Sequence, residues 1–258
     1  MREPFCFGIP LIAPAAARDW SRVDELLSAT LRSLLGQSDG DFRILIAGHE
    51  SPPCMRALED RRIEFLKADW PVAVPTFAND DGGAKKWMIK QAVQKTGGAL
   101  LMFVDADDLV DRETVAVARA RIDRRQRGGV IGGGFAIDFA TRRAVALPDE
   151  RLFGLAFHEV CGSSIIGRIE SGAGDPFDEL SWHNRWPQCA SERGEAIAIL
   201  PIAGGYLVNT GESHSENHGP FTDWRRDFAR RVRELGTGLS RGARQRFSIE
   251  EPQLVEAA

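Results

Sequence analysis

The sequence has few cysteines, and they are far apart. Cys6, Cys54, Cys161 and Cys189 form no CxxC pair and have no metal-like spacing. A disulfide framework and a structural zinc site are therefore not expected. A reduced, cytoplasmic setting is the simplest interpretation of this cysteine usage.

Long apolar runs and an excess of positive charge are also missing. No apolar run approaches the roughly 20 residues that a membrane-spanning helix needs. The N-terminal stretch FCFGIPLIAPAAA is a poor secretory leader, because Glu3 and Pro4 stand where a basic start is needed and Pro10 and Pro14 interrupt the apolar run. We expect a first buried strand there. The formal net charge of −4 gives no global attraction to nucleic acid, and no nucleic-acid partner is expected.

The pattern that is present is an alternation of strands and helices. The 258 residues fit one large domain. Short apolar runs alternate with helical patterns, in the order FCFGIPLI, DWSRVDELLSATLRSLLG, FRILIAG, IEFLKA, AKKWMIKQAVQKTGG and ALLMFV. This alternation predicts an α/β domain with a mostly parallel central sheet and helices on both faces. In such sheets ligands bind beyond the carboxyl ends of the strands.

Three carboxylates follow the most apolar strand in the stretch VDADDL, at 104–109. Ionised carboxylates crowded in a partly dry site raise each other's pKa unless a cation or a hydrogen-bond donor compensates. Asp105 and Asp107 therefore predict a metal or phosphate site, with a solvated turn as the alternative. An EF-hand loop is excluded, because the positions that need an oxygen ligand, a glycine and a glutamate hold leucine, valine and alanine. Asp111, just before the next helical stretch, is most simply an N-cap.

The order of these motifs resembles a known family. FGIP followed by a helix, then ILIAGHESP, a lysine-containing helix and FVDADDL, resembles the nucleotide-sugar-binding half of family-2 glycosyltransferases with the GT-A fold. The resemblance is specific over about residues 5–115 and loose beyond them. It implies a GT-A domain over 1–220, with a nucleotide-binding half of about 1–115 and an acceptor half of about 116–220. A C-terminal basic amphipathic helix and tail would occupy 221–258.

The resemblance also implies a donor site. In that family the D-x-D pair holds Mn²⁺ or Mg²⁺, which bridges the diphosphate of the donor, and hard carboxylate oxygens suit these ions. Asp107 is then a metal ligand, and Asp105 is a metal or ribose contact. Pro10 and Glu50 would lie at the nucleotide, although the family usually has an aspartate where this chain has Glu50. Lys85 and Lys86 would lie where the family carries a basic residue near the donor, with a solvated helix start as the alternative.

The acceptor half is less transparent. The family uses an acidic pair to deprotonate the acceptor hydroxyl, and the expected Glu-Asp pair is missing from the nearest segment, DPFDELSWHNRW. Glu179 and His183 are the candidate catalytic residues, because a neutral imidazole can act as a base near neutral pH. An ordinary packing histidine is the alternative. By the same resemblance, His214 in TGESHS is a third metal ligand and His218 a weaker candidate, while a polar loop is the alternative.

The activity implied is the metal-dependent transfer of a sugar from a nucleotide-diphosphate donor, with a UDP-sugar expected, to a carbohydrate or lipid-linked acceptor. Inversion at the anomeric carbon is expected. Two other interpretations stay open: a non-catalytic nucleotide-sugar-binding protein, and a metal-dependent phosphohydrolase or nucleotidyltransferase that uses the same aspartates.

The arginine-rich stretch TDWRRDFARRVREL predicts an amphipathic helix with Trp224, Phe228 and Leu235 on one stripe. Its basic face is either solvated or in peripheral contact with a membrane or an anionic acceptor. We expect the final acidic stretch, SIEEPQLVEAA, to be frayed.

Overall fold

The computed structural model describes residues 2–170, 172, 174–219 and 221–249. Within these ranges the strands are β1 (Phe5–Pro10), β2 (Arg43–Gly48), β3 (Ile63–Lys67), β4 (Ala99–Phe103), β5 (Asp108–Val110), β6 (Gln126–Asp138), β7 (Arg143–Leu147), β8 (Ile165–Ile169), β9 (Ala196–Val208) and β10 (Thr237–Gly238). The helices are α1 (Trp20–Leu35), α2 (Pro53–Leu58), α3 (Asp80–Lys95), α4 (Thr114–Arg121), α5 (Phe157–Val160), α6 (Pro176–Glu179), α7 (Trp186–Glu192), α8 (His214–Asn217), α9 (Thr222–Leu235) and α10 (Arg241–Arg246).

The strands form one sheet in the order β10-β7-β6-β8-β4-β1-β2-β3, and β9 pairs with both β5 and β6. The strands β3, β2, β1 and β4 are mutually parallel. The pairs β4–β8, β6–β8 and β6–β7 are antiparallel, whereas β6 and β9 are parallel. The predicted α/β class is confirmed, and β4, the strand that precedes VDADDL, belongs to a run of four parallel strands.

Helices cover both faces of the sheet. Along β4, Leu100 and Met102 lie in one apolar cluster with Leu27 and Leu31 of α1. The alternate residues of β4 pack on the other face with α3. This division follows from the period of two along a strand, and it buries an apolar layer on each side.

The C-terminal helix α9 belongs to the core. Its predicted apolar stripe is confirmed, since Phe228 is fully buried and Trp224 and Leu235 pack against the main apolar cluster. Strand β10 then pairs with β7, and Phe247 after α10 is buried. The described part of 221–249 is therefore integrated into the same folded unit as the strands before it. The predicted frayed tail lies, from residue 250 onward, outside the described residues.

None of the helices within the described ranges is both long and apolar enough to cross a membrane.

Candidate functional site

The predicted donor residues converge at one edge of the sheet. The amide of Val104 donates to the carbonyl of Gly8 at 2.9 Å, and the amide of Leu11 donates to Ala47 at 2.8 Å, so the parallel ladder continues beyond the ends of β4 and β1. Pro10 ends β1, and the exposed Glu50 follows β2 in the next turn. Asp105 follows β4. The ends of three neighbouring parallel strands thus bring residues from distant parts of the sequence together.

Asp105 and Asp107 occupy a tight turn between β4 and β5. The amide of Asp105 donates to Ser163 Oγ at 2.8 Å, which ties this turn to the loop before β8. Thr210 Oγ1 donates to Asp107 Oδ2 at 3.3 Å. No hydrogen bond from another described residue reaches the carboxylate of Asp105. Burial, with the nearby charges of Asp105 and Glu216, raises the pKa of Asp107 to about 7. The pair is thus held in place but poorly neutralised.

Asp108 faces the other way and is fully satisfied. Its side chain is 1% exposed and accepts hydrogen bonds from Ser163 Oγ at 2.6 Å, Cys161 Sγ at 3.2 Å and the amide of Leu207 at 3.3 Å. Burial and the neighbouring carboxylates hold its pKa well above the usual range. Asp108 is therefore a packing group that joins β5 to β9 and to the loop before β8.

The N-cap prediction for Asp111 is wrong. Helix α4 begins at Thr114, and Glu113 occupies the N-cap position without a side-chain cap. The buried carboxylate of Asp111 instead accepts from the amides of Glu113 at 3.0 Å and Ala203 at 3.1 Å, and from Arg246 at 2.6 Å. It connects the start of α4, strand β9 and helix α10.

The loop after β9 brings His214 to this edge. Thr210 Oγ1, which contacts Asp107, also accepts from the amide of Ser213 at 3.1 Å, directly before His214. His214 Nε2 is buried and finds no hydrogen-bond partner among the described residues. Burial and the charge of His218 lower the pKa of His214, whereas the charge of Asp105 raises it. The imidazole is therefore within electrostatic reach of the aspartate pair, and one of its nitrogens is unsatisfied.

These groups do not form a closed metal cage. Across the described ranges, no three histidine, cysteine, aspartate or glutamate side chains come together as a ready metal-binding group. Mg²⁺ in proteins is usually bound by one or two carboxylates, with water and substrate phosphates completing its coordination. The groups that such coordination would use here are two aspartates and one imidazole nitrogen without a described partner.

His183 lies on the loop between α6 and α7, close to Asp105. Its Nδ1 is hydrogen bonded to the carbonyl of His158. A methyl group added at Gly162 would lie 3.3 Å from Asp105 Oδ2 and 3.9 Å from His183 Cδ2. Burial is the main cause that lowers the pKa of His183. The imidazole is therefore neutral at pH 7, and a side chain at position 162 would partly fill the space between it and Asp105.

Two cations act on His183. Lys86 Nζ lies 5.5 Å from the centroid of the Phe103 ring, at the end of β4. Arg225 of α9 donates from Nη1 to the carbonyl of Val160 at 2.5 Å. The charges of both lower the pKa of His183. Sequence reasoning missed Arg225, because nothing in its local pattern separates it from the other arginines of the helix.

The neighbouring lysine, Lys85, has a different role. It is 1% exposed, donates to the carbonyl of Leu11 at 2.7 Å and pairs with Asp81. Its ammonium group thus fixes the end of β1 to α3 from inside the protein, and only Lys86 is placed near His183.

The structure corrects the placement of Glu179. Its carboxylate forms ion pairs with Arg127 and, at 3.8 Å, with Arg193. Arg127 lies near the start of β6, which pairs with the middle of β8. Glu179 therefore lies toward the opposite end of these strands from Asp105, and a catalytic role for it is not supported. No local sequence pattern indicates this ion pair, because Glu179 and Arg127 are far apart in the sequence.

Exposed apolar side chains flank the site residues. Trp87 follows Lys86 and is 61% exposed, and Trp182 precedes His183 and is 75% exposed. Phe77 is 65% exposed, and the carbonyls of Thr76 and Phe77 lie against the imidazole of His214. Exposed apolar residues therefore adjoin Lys86 and His183 in the sequence and His214 in space.

No protein-family model matches the chain, and no curated protein matches it. Three solved structures overlap with it at low identity. A 4-diphosphocytidyl-2C-methyl-D-erythritol synthase is 10% identical, with 78% of this chain and 89% of that chain covered and a TM-score of 0.44. The galactosyltransferase LgtC in complex with donor and acceptor sugar analogs is 10% identical, with 94% and 99% covered and a TM-score of 0.42.

A protein of Desulfovibrio desulfuricans G20, described as a nucleotide-diphospho-sugar transferase, is 15% identical, with 89% of this chain and 97% of that chain covered and a TM-score of 0.37. Because all three TM-scores are below 0.5, these likenesses carry no functional argument. The function is argued below from the site itself.

Proposed function

We propose that the protein is a metal-dependent transferase of the GT-A type, which moves a sugar from a nucleotide-diphosphate donor, with a uridine nucleotide expected, to an acceptor hydroxyl. The observation that carries this proposal is the poorly neutralised pair Asp105 and Asp107 at the carboxyl end of β4. In a partly buried site, the charge of such a pair costs stability until a positive ligand compensates it.

The surrounding residues suit a nucleotide diphosphate. The ends of β1 and β2 offer Pro10 and the exposed Glu50 for the nucleoside. Lys86 and Arg225, whose charges act on His183, supply the positive charge that an anionic diphosphate needs. A divalent cation bound by Asp105, Asp107 and His214 would neutralise charge on the leaving diphosphate.

His183 is the best placed base. A carbonyl oxygen only accepts hydrogen bonds, so the nitrogen that faces the His158 carbonyl must carry the proton. The lone pair is then on Nε2, and the depressed pKa keeps the imidazole neutral at pH 7. In the proposed reaction the acceptor oxygen bonds to the anomeric carbon and the bond from that carbon to the diphosphate breaks. The hydroxyl proton passes to Nε2, and attack opposite the leaving group inverts the configuration.

Donor binding is the first test. The melting temperature is measured with UDP, GDP and dTDP, each with and without Mn²⁺. A nucleotide at about 100 times its dissociation constant adds about 2.7 kcal/mol of stability. We expect a clear rise with UDP and Mn²⁺ together, and smaller rises with either alone. The absence of a shift with any diphosphate would contradict the proposal.

The metal ligands are tested on the same assay. Asp107→Ala and His214→Ala should each weaken Mn²⁺-dependent UDP binding, and the double variant should lose less than the sum, because the second change damages an already incomplete site. His218→Ala is the matched control, since its imidazole lies 5.4 Å from that of His214 but is expected to bind no metal. Parental binding in His214→Ala would remove this histidine from the site.

Turnover separates the rival activities. Sugar appearing on an acceptor supports the proposal. Binding without turnover indicates a nucleotide-sugar-binding protein, and release of phosphate or diphosphate without sugar transfer indicates a phosphohydrolase or nucleotidyltransferase.

A further inference from the structure

The loop between β3 and α3 is apolar and faces solvent. Residues 71–78, PVAVPTFA, contain no charged side chain, and all except Pro75 are exposed. Val72 is 42% exposed, Val74 82% and Phe77 65%. Single exposed apolar residues are common on protein surfaces, but three on one short, uncharged loop form a patch, and such patches mark interaction sites. We name residues 71–78 the apolar loop.

Both ends of the apolar loop are anchored. The amide of Ala68 donates to the carbonyl of Gly48 at 2.8 Å, and the indole of Trp70 donates to Asp81 at 3.0 Å. At the other end Asn79 caps α3 by accepting from the amide of Gly82. The carbonyls at 76 and 77 face His214. The loop is therefore held at the same edge of the sheet as Asp105, with its side chains directed into solvent.

The arginines of α9 are less available for a surface contact than the sequence suggests. Arg230 pairs with Asp227 and Glu234, and Arg231 also pairs with Asp227. Arg233 pairs with the buried Asp138. These contacts neutralise much of the basic face, so the predicted membrane contact through this helix has weak electrostatic support.

We propose that the apolar loop inserts into the surface of a lipid bilayer and places the site edge next to the membrane. Val72, Val74 and Phe77 would enter the region of the lipid head groups and upper acyl chains. The two prolines of the loop have no backbone N–H, which reduces the number of donors that would lose water on insertion. Tryptophan prefers the membrane interface, and the exposed Trp87 and Trp182 are next in sequence to Lys86 and His183.

A second protein fits the apolar loop less well than a bilayer does. Stable protein interfaces use roughly 20–30 residues on each side. One loop with three large exposed side chains falls well short of that, whereas a bilayer requires no complementary partner surface. This inference does not depend on the sugar-transfer proposal, because it concerns the position of the chain and not its chemistry.

The test is co-sedimentation with sucrose-loaded vesicles of phosphatidylcholine, with and without phosphatidylglycerol. The parent protein should sediment with both. The triple variant Val72→Ser, Val74→Ser and Phe77→Ser should bind the vesicles at least about tenfold more weakly, because insertion strength scales with the apolar area buried. The control is Ile199→Ser. This side chain is 65% exposed on β9, which lies beyond β6 and far from β3 in the sheet, and the variant should bind as the parent does.

Three results would overturn the inference. The parent could remain in the supernatant with both vesicle types, or the triple variant could sediment as the parent does. Binding that requires phosphatidylglycerol and survives the triple change would assign the contact to basic residues instead.

A second measurement covers the case in which the triple variant fails to fold. Phe77→Trp should show more fluorescence quenching by bromine-labelled phosphatidylcholine than the parent, because the new indole would lie among the labelled chains. Equal quenching in the two proteins would also contradict insertion of the loop.

Discussion

Two pairs of acids in one short stretch of the chain have opposite surroundings. Asp108 and Asp111 each accept three hydrogen bonds from described residues and are 1% exposed. Asp107 accepts one from the side chain of Thr210, and the carboxylate of Asp105 accepts none within the described ranges. All four carboxylates follow the same buried strand, so neither residue type nor position in the sequence separates the pairs.

The difference indicates what each pair does. Carboxylates with several buried donors are parts of the packing, because those donors would be left unsatisfied without them. Carboxylates that crowd each other without donors destabilise the free protein, and such a cost is typical of residues that await a ligand. The contrast predicts opposite effects on stability and on activity.

The largest expected effect is on activity. Asp107→Ala should lower kcat/KM for sugar transfer by about 10³-fold or more, because the cation it would hold contributes several kcal/mol to stabilising the leaving group. Its unfolding free energy should not fall. The exposed Asp223→Ala is the control and should keep the parental rate. A near-parental kcat/KM for Asp107→Ala would show that Asp107 does not differ from Asp108 and Asp111 in its role.

His183→Ala tests the proposed general base, as Asp107→Ala tests a proposed metal ligand. The rate of transfer should fall by about 10²–10⁴-fold, while the thermal shift with UDP and Mn²⁺ stays as in the parent, because a base acts on chemistry and not on donor binding. Loss of the donor shift together with the rate would indicate a structural histidine.

The pH profile tests the same residue. Burial and the charges of Arg225 and Lys86 lower the pKa of His183, while the His158 carbonyl and Asp105 oppose that shift. At saturating Mn²⁺ and donor the rate should therefore be constant around pH 7 and fall at a pH below the ordinary histidine pKa, where the imidazole is protonated. In Lys86→Met the acid limb should move to higher pH, because one cation that disfavours protonation is gone. An unchanged acid limb would place Lys86 outside the electrostatic environment of His183.

Substitution of Asp108 or Asp111, which accept several buried hydrogen bonds, should lower the free energy of unfolding. Asp111→Ala should lower the free energy of unfolding by about 2–4 kcal/mol, because two buried amides and Arg246 lose their acceptor. Asp105→Ala is the matched comparison and should lie within about 0.5 kcal/mol of the parent or above it. Urea unfolding followed by circular dichroism measures both. Equal losses in the two variants would show that Asp105 is also a packing group.

Local patterns predicted the parallel half of the molecule well. The apolar runs that became β1 to β4 and the helical pattern that became α1 depend on residues close in sequence. A period of two or 3.6 in the apolar residues shows which face of a strand or helix is buried. The position of Asp105 at a strand end follows from the same patterns. These features were confirmed because short-range periodicity determines them.

The remaining features depend on pairings that local patterns do not encode. The parallel ladder between β6 and β9 joins residues about 70 positions apart and determines where Thr210 meets Asp107. The ion pair of Glu179 with Arg127 joins residues 52 positions apart, and the contact of Arg225 with Val160 joins residues 65 apart. The first contact places Glu179, a predicted base, away from Asp105. The second places Arg225, a cation that the sequence did not predict, near His183.

The smallest expected effect is a change in melting temperature, and it tests directly whether Asp105 and Asp107 repel each other. Asp107→Asn keeps the shape of the side chain and removes its charge. In EDTA the variant should melt about 2–4 °C higher than the parent, equivalent to about 1 kcal/mol, because repulsion from Asp105 and Glu216 is relieved. The pKa of Asp107 is raised from its ordinary value of 3.8 to about 7 in the folded protein, so ionisation of Asp107 costs stability progressively between these two values. The advantage of the variant should accordingly be greatest above pH 7 and vanish toward pH 4. With UDP and Mn²⁺ the order should reverse, because only the parent binds the pair of ligands. A variant that melts lower than the parent in EDTA at pH 8 would show that Asp107 is stabilised by the protein, in the same way as Asp108 and Asp111.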